Sequence, residues 1–196
     1  RMRRGVDHRP IHRIVEWGVG GGSNAVAFAP LAKEFVGLDL KQEIVDEAGR
    51  QVGKHSKTRY TPVVIPVKFD PLSVDKAVGL MDLFLSVYVL ELVPSPKYGL
   101  DVMWTAFRLL NPGGLAFVQI KYDTGSWKTR SRGRRYRSSV TASMTTYRID
   151  QFWQYMTEIG FEHQGLWLVP ENELDERYAY FLLRKPETVL GDHRVG

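Results

Sequence analysis

The sequence predicts an α/β fold in which a doubly wound, mostly parallel sheet ends in an antiparallel hairpin. Short apolar runs alternate with segments of helical period along the chain, and this alternation is typical of a parallel sheet covered by helices on both faces. The last two apolar runs are joined only by the polar residues 170–176. Parallel neighbours need a longer crossover, so these two strands should pair antiparallel.

The predicted strands are the apolar runs. They cover residues 13–17, 35–40, 60–67, 82–89, 115–121, 164–169 and 177–184. Two prolines in the third run favour an edge strand, because proline cannot donate a hydrogen bond to a neighbouring strand. The fourth run is almost continuously apolar, which is typical of a strand buried on both faces.

The predicted helices fill the intervals between strands. They cover residues 23–33, 41–55, 96–110 and 150–159. Ser23 or Asn24 is the expected N-cap of the first helix, and Pro30 should shorten or kink that helix. The residues 111–114, Asn-Pro-Gly-Gly, predict a turn before the fifth strand.

Length and composition bound the class of protein. A chain of 196 residues is expected to form a single domain, residues 1–196, with an N-terminal tip at 1–12 and a tail at 186–196. The absence of cysteine excludes disulfides, cysteine metal ligands and cysteine nucleophiles. No apolar run is long enough to span a bilayer and no signal peptide precedes the first strand. The expected location is therefore cytoplasmic, without membrane contact.

The net charge of +5 is concentrated in a basic insert, residues 124–149, which has seven basic residues and no acidic one. The rest of the chain is therefore slightly acidic. Within the insert, residues 127–137 combine arginines with Trp127 and Tyr136, a mixture that suits nucleic acid or an anionic substrate. A solvated loop between strand and helix is the alternative interpretation.

The strongest local signal is the segment from Glu16 to Ser23, which follows the first strand and opens the first helix. Its glycines allow a tight turn and a close approach of backbone to ligand. Read from Gly20, the segment formally fits a dinucleotide-binding pattern with alanine in the last position. Glu16 with glycines at 18, 20 and 22 fits every position of an S-adenosylmethionine loop. An acid there suits the ammonium of methionine and would face a pyrophosphate unfavourably.

With these residues the chain resembles the class I S-adenosylmethionine-dependent methyltransferases over nearly its whole length. Residues 16–22 look like the first motif of that family, and residues 35–40 (FVGLDL) look like the second. Residues 82–91 and 109–120 are similar to the motifs of the fourth and fifth strands. The resemblance implies a seven-stranded sheet of order 3-2-1-4-5-7-6 and S-adenosylmethionine as the cofactor.

The resemblance also implies which residues bind the cofactor. Glu16 and the glycines Gly18, Gly20 and Gly22 would hold the methionyl part. Asp39 lies about twenty residues further on, where a carboxylate can accept hydrogen bonds from both ribose hydroxyls. The remaining pocket residues would be Leu40 against the adenine, Asp70 at its amino group, and Ser86, Val87 and Tyr88 at the end of the fourth strand.

Candidate catalytic and acceptor-binding residues follow the fourth and fifth strands. A general base is needed only where the acceptor loses a proton during attack. Tyr88 and Glu91 are the candidates, and they would share a face if the chain turned helical after the fourth strand. The candidate acceptor-binding residues are Lys121 and Tyr122, with Arg134 and Arg135 from the insert. No metal site is predicted.

The leading hypothesis is methyl transfer to an oxygen or nitrogen atom of a small or medium-sized molecule. Two alternatives stay open: an RNA or other nucleic-acid acceptor bound through residues 127–137, and a cofactor-binding subunit without catalysis. Only about a dozen residues precede the first strand, where most members of the resembled family have one or two helices, and this departure motivates the last alternative.

Overall fold

The structure, a computed structural model, describes residues 10–66, 68–126, 144–169 and 177–187. Seven strands are found in these residues: β1 (Arg13–Trp17), β2 (Glu34–Asp39), β3 (Arg59–Val64), β4 (Met81–Ser86), β5 (Leu110–Lys121), β6 (Glu162–Val169) and β7 (Tyr178–Arg184). The helices are α1 (Ser23–Phe28), α2 (Gln42–His55), α3 (Pro71–Val78), α4 (Pro96–Leu109) and α5 (Ile149–Ile159).

The strands form one sheet of order β3-β2-β1-β4-β5-β7-β6. The neighbours from β3 to β5 pair parallel, and β7 is antiparallel to both β5 and β6. The predicted fold class, the strand order and the terminal hairpin are thus confirmed. The carboxyl ends of β1, β2, β4 and β5 meet at one edge of this sheet.

The two faces of the sheet are covered by different helices. Side chains of α1 and α2, including Ala25, Val45 and Val52, pack on Phe35 and Leu85 on one face. Side chains of α3, α4 and α5 pack on the other face, and they include Val74, Val78, Met103, Ala106, Phe152 and Met156. Among the described residues no helix is long and apolar enough to cross a membrane.

The first helix is shorter than the prediction, as Pro30 suggested. It ends at Phe28 and a 3-10 turn, Ala29–Leu31, follows. Neither Ser23 nor Asn24 is its N-cap: that position is Gly22 in the left-handed conformation. The side chain of Asn24 is instead directed to Glu16, which leaves no side-chain cap.

Two further differences concern segments with weak patterns. Helix α3 (Pro71–Val78) is absent from the sequence prediction. Residues 111–114 are not a separate turn but part of β5, whose pairing with β4 shifts register between Met81 and Leu83. The Asn-Pro-Gly-Gly sequence is therefore accommodated as an irregularity in the strand pairing.

Candidate cofactor and acceptor site

The glycine loop connects β1 to α1 along the carboxyl edge of the sheet. Gly18, Gly20 and Gly22 have φ of 77°, 51° and 87°, in the region that favours glycine. The backbone N–H groups of Gly18 and Val19 donate to the Leu38 carbonyl at 2.8 and 2.9 Å, and so tie the loop to β2. A Cβ atom added at Gly22 would lie 2.9 Å from Ala48 Cα, whereas a Cβ atom added at Gly20 would have no such neighbour within 4 Å. The loop is thus packed at Gly22 and open at Gly20.

Asp39 ends β2 and contacts this loop directly. Its Oδ2 accepts a hydrogen bond from Gly20 N at 3.0 Å, and its Oδ1 accepts one from Leu40 N at 2.7 Å. Each carboxylate oxygen can accept a second bond, so the group is able to receive two hydroxyls. The side chain of Leu40 is 50% exposed at the same edge, which leaves an apolar surface beside the carboxylate.

Glu16 is buried beneath the glycine loop. Its Oε1 accepts a hydrogen bond from Asn24 Nδ2 at 2.8 Å, while Oε2 is buried with no hydrogen-bond partner. Burial raises the pKa of Glu16 to about 7; the Asn24 bond opposes the rise and the nearby Asp39 adds to it. A buried carboxylate with one free oxygen fits a cationic group such as the ammonium of a methionyl moiety.

Tyr60 brings a hydroxyl from β3 to the interior near this carboxylate. Its ring passes between two glycines: a side chain at Gly37 would overlap its hydroxyl, and one at Gly49 would lie 2.9 Å from its Cδ1. Burial raises the pKa of Tyr60, and the charges of Glu16 and Asp39 raise it further. The two glycines therefore make room for a polar group behind the cofactor loop, which the sequence analysis did not identify.

Tyr88 follows β4 in a conformation that is rare for its residue type. Its φ is 60°, the one positive value among the non-glycine residues that the structure describes. Its backbone N–H donates to Gln119 Oε1 at 2.8 Å, and its ring meets that of Tyr178 edge-on with centroids 5.3 Å apart. The chain after β4 forms a turn and not the helix considered above, so Tyr88 and Glu91 do not share a helical face.

Glu91 and Lys121 are buried side chains, 6% and 4% exposed, where the turn after β4 lies beside the end of β5. Burial raises the pKa of Glu91, and the charge of Lys121 opposes that rise. Lys121 Nζ lies over the Tyr178 ring, 5.5 Å from its centroid. The fold therefore brings the predicted residues Glu91 and Lys121 close together, beside Tyr178.

The other predicted residues lie around this edge in different settings. Ser86 is fully buried with its Oγ unpaired, and Val87 is partly buried. Asp70 is exposed and starts α3, where its carbonyl accepts from Val74 N at 3.2 Å. Tyr122 packs against the core on the α4 and α5 face, and its hydroxyl donates to the Val169 carbonyl at 3.3 Å. Arg134, Arg135 and the segment 127–137 lie outside the described residues.

Two clefts, of about 440 and 590 Å³, lie beside Asp123 and Arg148, where β5 ends and α5 begins. Neither cleft is lined by the glycine loop, Asp39 or Tyr88. The cofactor edge is thus distinct from these two clefts.

Comparison with known proteins places this geometry in context. The family described as a methyltransferase domain matches residues 3–164. Among solved structures, the chain is similar to the N-methyltransferase NodS from Bradyrhizobium japonicum in complex with S-adenosyl-L-homocysteine, with 15% identity, a TM-score of 0.68, and coverage of 90% of this chain and 79% of that one. No curated protein matches the sequence.

Two further structures show the breadth of the fold. The [4+2]-cyclase SpnF has 16% identity and a TM-score of 0.69, over 90% of this chain and 75% of that one. A structure described as S-adenosylmethionine-dependent methyltransferases from Methanosarcina mazei has 14% identity and a TM-score of 0.67, over 92% of this chain and 95% of that one. At these identities the likeness establishes the fold.

Proposed function

The chain belongs to the methyltransferase domain family and is an S-adenosylmethionine-dependent methyltransferase, and from this premise we propose that it methylates an oxygen or nitrogen atom of a small or medium-sized molecule. The observation that carries the proposal is the direct contact of Asp39 with Gly20 beside the buried Glu16. This contact brings together the two acids that would bind the cofactor: Glu16 for the methionyl part and Asp39 for the ribose.

The residues of the glycine loop fit the cofactor chemically. Glu16 Oε2 would receive the ammonium, Asp39 would receive the ribose hydroxyls, and Leu40 would cover the adenine. S-adenosylmethionine supplies a methyl group on a sulfonium centre that is already activated, so positioning of the acceptor provides much of the acceleration. The open space at Gly20 allows the backbone to approach the ligand closely.

The acceptor side of the proposal rests on the residues after β4 and β5. The strained turn at Tyr88 places a phenol at the edge of the sheet. The buried Glu91, with its raised pKa, is a group that can take up a proton when an oxygen or nitrogen acceptor loses one. Lys121 beside it balances the charge of the ionised carboxylate.

A transfer assay with S-adenosylmethionine labelled in the methyl group tests this proposal. We expect label to enter a pool of small phenols and amines, and Asp39→Ala to slow the transfer about tenfold or more at a cofactor concentration below its Kd, because cofactor affinity falls by about 1.5–3 kcal/mol. Transfer by Asp39→Ala at the wild-type rate would contradict the assigned site. Label that entered RNA, but none of the small molecules, would contradict the proposed acceptor class and favour the nucleic-acid alternative.

A further inference from the structure

The sheet face that carries Glu16 continues into an aromatic surface on β5 and β7. Glu16 pairs with Leu85, and Leu85 with Phe117, in parallel register, so these side chains share one face. Across the antiparallel pair, Gln119 lies opposite Tyr180, and Lys121 lies opposite Tyr178. Directly opposed residues also share a face. Strands β5 and β7 therefore form the surface beneath the acceptor side of the site.

Four rings form this surface, which we call the aromatic platform: Tyr88, Phe117, Tyr178 and Tyr180. Phe117 and Tyr180 are stacked with centroids 5.8 Å apart and planes within 19° of parallel. Tyr88 and Tyr178 stand at 89° to each other. Three of the rings are partly exposed and Tyr88 is 53% exposed, so the platform presents ring surface at the carboxyl edge.

Buried polar contacts hold the platform in place. Gln119, only 1% exposed, accepts from the backbone N–H of the strained Tyr88 and leaves its Nε2 buried without a partner. Burial raises the pKa of Tyr180, and the neighbouring hydroxyl of Tyr88 raises it further. An unpaired buried donor costs free energy, so a hydrogen-bond acceptor that reached Gln119 Nε2 would be favoured.

Resting on the proposed function, we infer that the methyl acceptor is a planar aromatic molecule, uncharged or anionic, that lies against the aromatic platform. Flat rings gain most from contact with other rings in stacked and perpendicular arrangements, and the platform offers both. A cationic acceptor is disfavoured, although aromatic rings can bind cations. The Lys121 ammonium already lies over Tyr178, so a cationic acceptor would compete with it for that ring.

Calorimetry on the full chain saturated with S-adenosylhomocysteine tests this inference. The probes are 2-naphthol, its saturated counterpart decahydro-2-naphthol, and tetramethylammonium. We expect 2-naphthol to bind about tenfold more tightly than the saturated alcohol, because ring contacts exceed simple apolar burial. Tetramethylammonium should not bind at comparable concentration.

Variants locate the binding surface. Tyr178→Ala and Tyr180→Ala should weaken 2-naphthol binding by about fivefold or more while the Kd for S-adenosylhomocysteine stays within about twofold. Tyr155→Ala is the matched control, because Tyr155 packs on the opposite face of the sheet. Tyr178→Leu and Tyr180→Leu, which remove the ring but keep an apolar side chain, should weaken 2-naphthol binding in the same way and keep the test valid if an alanine variant fails to fold.

The outcomes separate this inference from the proposed function. Equal affinity for the two alcohols, tighter binding of tetramethylammonium, or equal losses in Tyr155→Ala and the platform variants would overturn the aromatic acceptor while the cofactor site stands. Failure of the wild-type chain to bind S-adenosylhomocysteine would overturn the proposed function, and the inference with it.

Discussion

Glu16 connects the stability of the fold to the binding of the cofactor. Its folded-state pKa of about 7 lies above the ordinary value of 4.5, so the folded protein holds this proton more tightly than the unfolded chain does. The stability that the group contributes is therefore fully present below about pH 4.5 and is lost as the pH rises through about 7.

We expect Glu16→Gln to increase the free energy of unfolding at pH 8 by about 2–3 kcal/mol, and to change it little at pH 4.5. The amide oxygen of glutamine can still accept from Asn24, so the substitution mainly removes the buried charge. Urea unfolding at the two pH values measures the difference. A stabilisation of equal size at both values would contradict the raised pKa.

The ionisation of Glu16 also predicts how ligand binding depends on pH. An ionised Glu16 favours the ammonium of S-adenosylhomocysteine, so its affinity should rise about tenfold between pH 6 and pH 8. Calorimetric titration of Glu16→Gln provides the control, in which this rise should disappear. A rise that persisted in the glutamine variant would assign the titration to another group.

Substitutions at Gly20 and Gly22 should separate an effect on ligand binding from an effect on stability. Gly20→Val should abolish cofactor binding and lower stability by about 1–3 kcal/mol, the cost of a side chain at positive φ, since nothing lies within 4 Å of its Cβ. Gly22→Val carries the same strain and also overlaps Ala48, so its loss of stability should be larger. Thermal melts and calorimetry on both variants measure the pair, and equal losses of stability would contradict the packing described for the loop.

At the scale of one element, α2 contains two glycines in opposite settings. Gly49 faces the Tyr60 ring, and a Cβ atom added there would lie 2.9 Å from Tyr60 Cδ1. A Cβ atom added at Gly53 would have no such neighbour within 4 Å. We expect Gly53→Ala to stabilise the protein by about 0.5–1 kcal/mol through helix propensity, and Gly49→Ala to destabilise it by about 1–3 kcal/mol through overpacking.

Chemical denaturation of the two alanine variants measures this contrast. Combining Gly49→Ala with Tyr60→Leu should recover part of the loss, because the smaller side chain vacates the space beside the helix. Stabilisation by Gly49→Ala alone would show that Tyr60 does not pass between β2 and α2.

Most strands could be predicted because their apolar runs are long enough to show a pattern. Helix α3 (Pro71–Val78) has 8 residues, too few for a helical period to stand out from a loop. Residues 111–114 have the composition of a turn, and they belong to β5 only as the irregular part of the strand, between the pairs Met81–Leu110 and Leu83–Leu115. Local composition thus predicts the residues that end an element less well than those inside it.

The cofactor half of the site was more predictable than the acceptor half. Glu16 and the three glycines lie within one short segment, residues 16–22, so their spacing in the sequence is enough to indicate a cofactor loop. Gln119, Tyr178 and Tyr180 were missed because their common position depends on the register between β5 and β7, which no local pattern fixes. The spacing of Tyr178 and Tyr180, two residues apart in β7, was the signal that could have indicated one shared face.

At the scale of the whole molecule, the strand order accounts for the site. Glu16, Asp39, Tyr88 and Lys121 lie at or just beyond the ends of β1, β2, β4 and β5, and the parallel pairing of these strands brings them to one edge. Helices α1 and α2 cover the β1 and β2 side of this face, so the glycine loop is packed from behind. The cofactor-binding residues and the aromatic platform are therefore neighbours on one sheet edge.

The carboxyl edge of the sheet should bind S-adenosylmethionine and not a nicotinamide dinucleotide. Isothermal titration of the full chain with S-adenosylmethionine, S-adenosylhomocysteine and NAD tests this expectation most directly. We expect a Kd on the order of micromolar for the first two ligands, which Glu16 and Asp39 would bind, and no measurable heat with NAD, whose pyrophosphate would meet the buried acid. Tight binding of NAD with none of S-adenosylmethionine would contradict it.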